Sequence, residues 1–174
     1  MKYAIIIVLF SVLSCKNDHK TPMVADAELN TSKEIELEIY DYGGLEAFLN
    51  KKDEKTYVVN FWATWCAPCI KELPFYEKLN QTYAKQGVEV LLVSLDFPKQ
   101  YESKLKPYIE KNKLKSKVVA LNDVNSNYWI PKISEDWTGA LPATLIYNKD
   151  KRLFYEKSFT FEELETELKQ FLNK

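Results

Sequence analysis

The sequence predicts an α/β domain, a central mixed sheet flanked by helices on both faces, and three observations lead there. Strand-like and helix-like patterns alternate along most of the chain. Val88 to Leu95 is a nearly continuous apolar run, as expected of a strand covered on both faces. Near the C-terminus two strand patterns flank an Asn148-Lys149-Asp150 turn, so the last pairing is an antiparallel hairpin at one edge.

Ile35, Leu37 and Ile39 alternate with Glu34, Glu36 and Glu38 and predict a half-buried strand. After Gly43-Gly44 a short helix covers Leu45 to Lys51, with Leu45, Phe48 and Leu49 on one face. Thr56 to Trp62 is dense in β-branched and aromatic residues and predicts a central strand. The spacing of Ile70, Leu73, Tyr76, Leu79 and Tyr83 predicts a helix from Cys66 to about Lys85, kinked or short of a hydrogen bond at Pro74 and stopped by Gly87. Lys99 to Lys113 reads as an amphipathic helix with Tyr101, Leu105, Tyr108 and Ile109 inward. Lys117 to Leu121 is a short strand and Ser126 to Ile133 a short helix. The hairpin strands are Ala143 to Tyr147 and Leu153 to Lys157. Thr160 with Glu163 makes a capping box for a last helix through Leu172.

Composition excludes several functions. The 174 residues, 46% hydrophobic and 28% charged, suit one globular domain with a tail. A formal net charge of −1 argues against a nucleic-acid binder. Four glycines and no GxGxxG or GxxxxGK stretch argue against a phosphate loop. The single histidine, His19, leaves no His-based triad for a folded core.

The first residues read as a targeting segment. Lys2 is followed by an apolar run from Tyr3 to Leu13, too short for a spanning helix, which needs about 20 apolar residues. The run ends Val12-Leu13-Ser14-Cys15, which resembles a bacterial lipobox, and polarity changes abruptly after Cys15. We therefore expect a signal peptide over 1–14, lipidation of Cys15, a polar tether over 15–32 and a folded domain over 33–174. A plain signal with an incidental cysteine, or a short buried strand, is the alternative. Each buried methylene of an acyl chain contributes roughly 0.8 kcal/mol to membrane attachment.

Cys66-Ala67-Pro68-Cys69 falls where a buried strand ends and a helix begins. The N–H groups of a first helical turn lack partners and favour an anion, so a Cys66 thiolate is stabilised there and its pKa falls below the free value of about 8.5. Cys69, three residues on and more enclosed, can attack a mixed disulfide formed at Cys66. Pro68 suits a helix start, where its missing N–H removes nothing. Half of a zinc site, or two inert buried thiols, is the bland alternative, but a closed zinc site needs about four ligands and only Cys15 and His19 remain. No metal is expected.

Val58-Val59-Asn60-Phe61-Trp62-Ala63-Thr64-Trp65-Cys66-Ala67-Pro68-Cys69 resembles the active-site segment of the thioredoxin superfamily. Trp65 to Pro74 is similar, more narrowly, to the extracytoplasmic TlpA/ResA-like thiol-disulfide oxidoreductases. Gly139-Ala140-Leu141-Pro142-Ala143-Thr144 carries the second match, where the family holds a cis-proline opposite the cysteines and pairs the preceding backbone with substrate. The resemblance implies a thioredoxin-like fold over Ile35 to Leu172 and no bound cofactor beyond the Cys66–Cys69 dithiol/disulfide. It implies Cys66, Cys69 and Glu72 as catalytic residues, and Trp65, Pro68, Leu141 and Pro142 as substrate contacts. Asn60 stands where cytoplasmic thioredoxins carry a buried Asp, so proton transfer falls to Glu72, unless that residue is merely solvated. Trp62 and Trp65 are expected to cover the sulfurs; Trp129 and Trp137 line a groove or belong to the core.

The implied function is reduction of protein disulfides in the cell envelope by a lipid-anchored, periplasm-facing enzyme supplied by a membrane thiol-reductant donor. Apocytochrome c, before haem attachment, is among the implied partners. One alternative is a peroxiredoxin-like peroxidase, which needs an Arg near its cysteine, whereas the only Arg is Arg152. The other is a non-catalytic, partner-binding lipoprotein.

Overall fold

The computed structural model describes residues 35–172. The expected signal peptide, Cys15, His19 and the tether lie outside the described residues. Six strands form one sheet, β1 (Glu38–Tyr40), β2 (Thr56–Trp62), β3 (Val88–Ser94), β4 (Lys117–Leu121), β5 (Ala143–Tyr147) and β6 (Arg152–Tyr155), in the order β1-β4-β3-β2-β5-β6. The first four pair in parallel, and β5 runs antiparallel to both its neighbours, β2 and β6. The α/β expectation holds, including the mixed sheet.

Helices cover both faces. On one, α2 (Ala67–Tyr83), α3 (Lys106–Asn112) and α5 (Phe161–Leu172) pack Leu73, Tyr76, Leu79, Ile109, Leu164 and Leu168 against Val58, Trp62, Val90 and Leu92. On the other, α1 (Tyr42–Leu49) and α4 (Ser126–Ile133) pack Leu45, Leu49, Trp129 and Ile133 against Val59, Phe61, Val93 and Leu145. The alternation of side chains along β2 splits the core this way.

Several boundaries differ from expectation. β1 is confined to Glu38–Tyr40, and Ile39, expected inward, is half exposed. α1 starts three residues early because the Asp41 carboxylate caps the Gly44 N–H at 2.8 Å. Gly44 is a close-approach position: a Cβ there would meet the Tyr40 ring at 2.8 Å. The helix expected over Lys99 to Lys113 opens with a tight turn, Pro98–Gln100, then a wide turn, Tyr101–Leu105. Pro107 explains this: in a regular helix its ring clashes with the carbonyl four residues back, and a wider turn relieves the clash. β6 ends at Tyr155 rather than Lys157. Pro74 is absorbed inside α2 without ending it. Thr160 and Glu163 cap α5 reciprocally, Thr160 N–H to Oε2 at 2.8 Å and Glu163 N–H to Oγ1 at 3.2 Å.

Candidate functional site

β2 delivers the chain to the site. Its seven residues are all buried, and it ends three residues before Trp65, which leads directly to Cys66, the N-cap of α2. The Cys66 backbone is extended, and its Sγ accepts the Cys69 N–H at 3.3 Å, so the sulfur occupies the position of an anion at a helix start. Cys66 and Cys69 are joined by a disulfide with Cα atoms 5.3 Å apart. Cys66 keeps 6% of its surface exposed and Cys69 none, the asymmetry expected of attacking and resolving sulfurs. Ala67 and Pro68 are exposed between them.

Beneath the pair lies a buried polar cluster. Glu72, one turn beyond Cys69, is 1% exposed. Its Oε1 accepts from Asn60 Nδ2 at 3.1 Å and its Oε2 from the Phe159 N–H at 2.9 Å. Burial pushes its pKa up to about 7, against the pull of hydrogen bonds from Phe159, Asn60 and Tyr76. Asn60, fully buried, also places Nδ2 3.4 Å from both the Ala143 carbonyl and Thr144 Oγ1, while its Oδ1 has no hydrogen-bond partner. The Tyr76 hydroxyl lies 2.7 Å from Thr144 Oγ1, and burial raises its pKa, so it stays protonated.

The β2–β5 register, Phe61 opposite Ala143, sets Pro142 beside the end of β2. The Leu141–Pro142 peptide is cis; Pro142 is buried and Leu141 half-buried against both core clusters. Glu156 builds the approach to it, accepting from the Thr138 N–H at 3.0 Å, the Ala140 N–H at 2.8 Å and the Thr138 hydroxyl. Between those donors Gly139 takes φ +96°, a left-handed conformation that suits glycine. A second buried carboxylate, Asp96 just beyond β3, fastens the segment before Cys66 by accepting from the Thr64 N–H at 3.0 Å, the Thr64 hydroxyl and the Ser94 hydroxyl at 2.8 Å.

The structure thus brings Cys66, Cys69, Glu72, Leu141 and Pro142 to one end of the sheet. Trp65 is half exposed and stacks on Phe97, ring centroids 6.3 Å apart. Trp62 is fully buried in the same cluster as the two sulfurs. Trp129 and Trp137 resolve as core: both are buried, and their indole N–H groups donate to the Asp123 and Ala140 carbonyls. Sequence reasoning missed Asp96, Thr144, Glu156, Phe97 and the hydroxyl of Tyr76. For Asp96 a signal existed, an acid directly after a strand parallel to the one leading to Cys66; the helical spacing of Tyr76 showed only its ring. Among the described residues no group of three or more His, Cys, Asp or Glu could hold a metal ion.

The model of the AhpC/TSA family matches residues 21–156. The chain belongs to the AhpC/TSA family. Its relatives include the thiol-disulfide oxidoreductase ResA of Oceanobacillus iheyensis, 38% identical over 91 residues, 51% of this chain and 46% of that protein. ResA of Geobacillus kaustophilus is 36% identical over 101 residues, 57% of each chain. The chain therefore spans about half the length of these curated relatives. A thioredoxin family thiol:disulfide interchange protein from Chlorobium tepidum TLS superposes with TM-score 0.59 at 20% identity, over 74% of this chain and 85% of that one. The fold of this AhpC/TSA family member is thioredoxin-like.

Proposed function

We propose that this chain is a thiol-disulfide oxidoreductase that reduces protein disulfides through a Cys66–Cys69 cycle. The observation that carries the reading is the disulfide at the start of α2, with Cys66 as the helix cap and a buried carboxylate one turn behind Cys69. In the reduced form the Cys66 thiolate attacks one sulfur of a substrate disulfide, forming a mixed disulfide and releasing the other substrate sulfur as a thiolate. Glu72 takes the proton of the Cys69 thiol, and the Cys69 thiolate attacks Cys66 Sγ. That step closes the Cys66–Cys69 disulfide and frees the second substrate sulfur, so two electrons pass to the substrate. A pKa of about 7 poises Glu72 to accept a proton near neutrality. In this reading Trp65, Pro68, Leu141 and Pro142 serve as the substrate contacts, supported by the exposure of Trp65 and Pro68 next to Cys66 in the chain and by the β2–β5 register that sets Pro142 beside the end of β2.

The finer reading follows the sequence. Lipid on Cys15 tethers the enzyme in the cell envelope, facing the periplasm, with protein disulfides, apocytochrome c among them, as substrates and a membrane thiol-reductant donor restoring the dithiol. No helix among the described residues is long and apolar enough to cross a membrane. The peroxidase alternative loses support from the position of Arg152, whose guanidinium donates to the Leu49 and Ile133 carbonyls at 2.7 and 3.2 Å on the face opposite α2.

Trapping tests the cycle. Cys69→Ser accumulates substrates as mixed disulfides on Cys66, visible on non-reducing gels, whereas Cys66→Ser accumulates few or none; equal trapping by both overturns the assigned roles. Fractionation tests the anchor. Cys15→Ala leaves membranes or is not processed, and a variant still membrane-bound after a high-salt wash would sink the lipoprotein reading.

A further inference from the structure

Residues 138–141 carry the chain from α4 to the cis peptide, and they lie outside the sheet, because the β2–β5 ladder starts at Ala143. Thr138 and Ala140 are exposed, and Leu141 is half-buried against the cluster that holds both sulfurs. Two side chains fix this short stretch. The Glu156 carboxylate accepts from the Thr138 N–H at 3.0 Å through Oε2, and from the Ala140 N–H at 2.8 Å and the Thr138 hydroxyl through Oε1. The Trp137 indole N–H donates to the Ala140 carbonyl at 2.9 Å, so both backbone groups of Ala140 are engaged just before Leu141.

The sheet places Glu156 for this. Thr144 pairs with Tyr155, and Glu156 follows one residue past the end of β6. Side chains alternate along a strand, so Glu156 falls on the side of Phe154, whose ring lies 5.5 Å from that of Trp137. Trp137 is anchored in the core, and a Cβ on Gly139 would meet Ile130 Cδ1 at 3.1 Å, so the turn lies against α4. Folding alone does not call for the carboxylate. The Thr138 and Ala140 donors are at the surface, where water satisfies an N–H about as well as a side chain does. What three bonds to one carboxylate add is a single conformation, held more firmly by charge-assisted bonds than by neutral ones. Burial pushes the Glu156 pKa up, but the bonds from Thr138 and Ala140 outweigh it and hold the group below the ordinary Glu value.

We propose that Glu156 is a positioning residue for polypeptide substrates: its carboxylate, working with the Trp137 indole, presets residues 138–140 and so fixes the backbone at Leu141 before substrate arrives. The proposal rests on the oxidoreductase reading, in which Leu141 and Pro142 contact the substrate. A segment already held in its bound conformation costs less entropy to order on binding, so the gain appears in substrate affinity. A small disulfide that reaches Cys66 without touching Leu141 draws no benefit from it. Glutamine is not equivalent here, because its amide offers one oxygen and turns an NH2 group towards one of the donors.

The test uses single turnovers of the prereduced full chain, with Cys66 and Cys69 trapped by an alkylating agent at each time point. A disulfide-linked peptide and a small aromatic disulfide serve as substrates. In Glu156→Ala the half-saturating concentration of the peptide rises about tenfold, the scale of re-ordering one backbone residue on binding. The limiting rate with peptide, and the rate with the aromatic disulfide, change by less than about twofold. Glu156→Gln shows the same split at an intermediate size, and Thr138→Val, which removes only the hydroxyl bond, a smaller one. An unchanged half-saturating concentration in both Glu156 variants overturns the proposal and leaves the oxidoreductase reading standing. An equal loss with both substrates, together with a lowered melting temperature, makes Glu156 a support of the fold and also overturns it. Failure of the wild type to reduce either substrate overturns both.

Discussion

The two faces of β2 are built from the same kind of backbone and are equally buried, yet they do different work. On one face Phe61 lies 4.8 Å from Trp137, which in turn lies 5.6 Å from Trp129 and 5.5 Å from Phe154. Every polar atom of that aromatic group has a partner, since the two indole N–H groups reach backbone carbonyls. On the other face Asn60 meets Glu72 and Thr144, its own Oδ1 is unpaired, and a carboxylate sits where water does not reach it. The first face is organised for stability. The second gives some of that up to bury a titratable carboxyl one turn beyond Cys69, because an unpaired buried polar atom costs about 1–3 kcal/mol.

The comparison can be broken most strongly from the apolar side. Phe61→Ala removes a fully buried ring and is expected to cost about 3–5 kcal/mol in chemical denaturation, while the pH profile of the remaining activity keeps its midpoint. A shifted midpoint would mean that the two faces are coupled through β2.

Glu72→Gln acts on the polar side. It is expected to slow disulfide reduction near pH 7 about tenfold, at the low end of general-base effects, and raising the pH restores part of the loss as Cys69 ionises unaided. Stability responds in the opposite sense. A carboxyl with a folded pKa of about 7, above its ordinary value, holds its proton longer in the folded chain than in the unfolded one. Wild type therefore loses stability as pH rises from the ordinary Glu range to about 7 and levels off above it. The Gln variant lacks that slope in melting experiments run across the same range, and an unchanged pH–rate profile together with an unchanged slope would return Glu72 to a passive role.

Asn60→Asp sharpens the contrast with a smaller effect. It replaces a donor 3.1 Å from Glu72 by a second carboxylate, so the Glu72 midpoint moves further up, by about one unit or more, because neighbouring like charges resist double ionisation. The kinetic pH profile reads this directly. A midpoint that stays in place would show that the Asn60 amide does not control the proton on Glu72.

Much of this was legible in the chain. The β-branched and apolar runs of β2 and β3, the hairpin around Asn148 and the reciprocal cap of α5 are short-range patterns, and they appear where their residues predicted. Where local signals competed, the packing decided. Gly43 and Gly44 read as a break before a helix, but the Asp41 cap draws both into α1. Trp129 and Trp137 could have lined a groove, and the fit against Phe61 and Phe154 makes them core.

The sequence by itself determined the reactive pair and its setting, because a strand, a helix start and two cysteines three residues apart are all written within one short stretch. It also marked Pro142, through the motif around it. Only the tertiary structure decided the environment of that pair. Glu72 is buried by Asn60, 12 residues away, and by the Phe159 N–H, 87 residues away. Asp96 reaches back 32 residues to hold Thr64, and Tyr76 meets Thr144 across 68. Desolvation and hydrogen bonding set a carboxyl group's proton affinity, and both depend on which distant segments close around it; a pattern read along the chain carries the residue, and the fold supplies its surroundings.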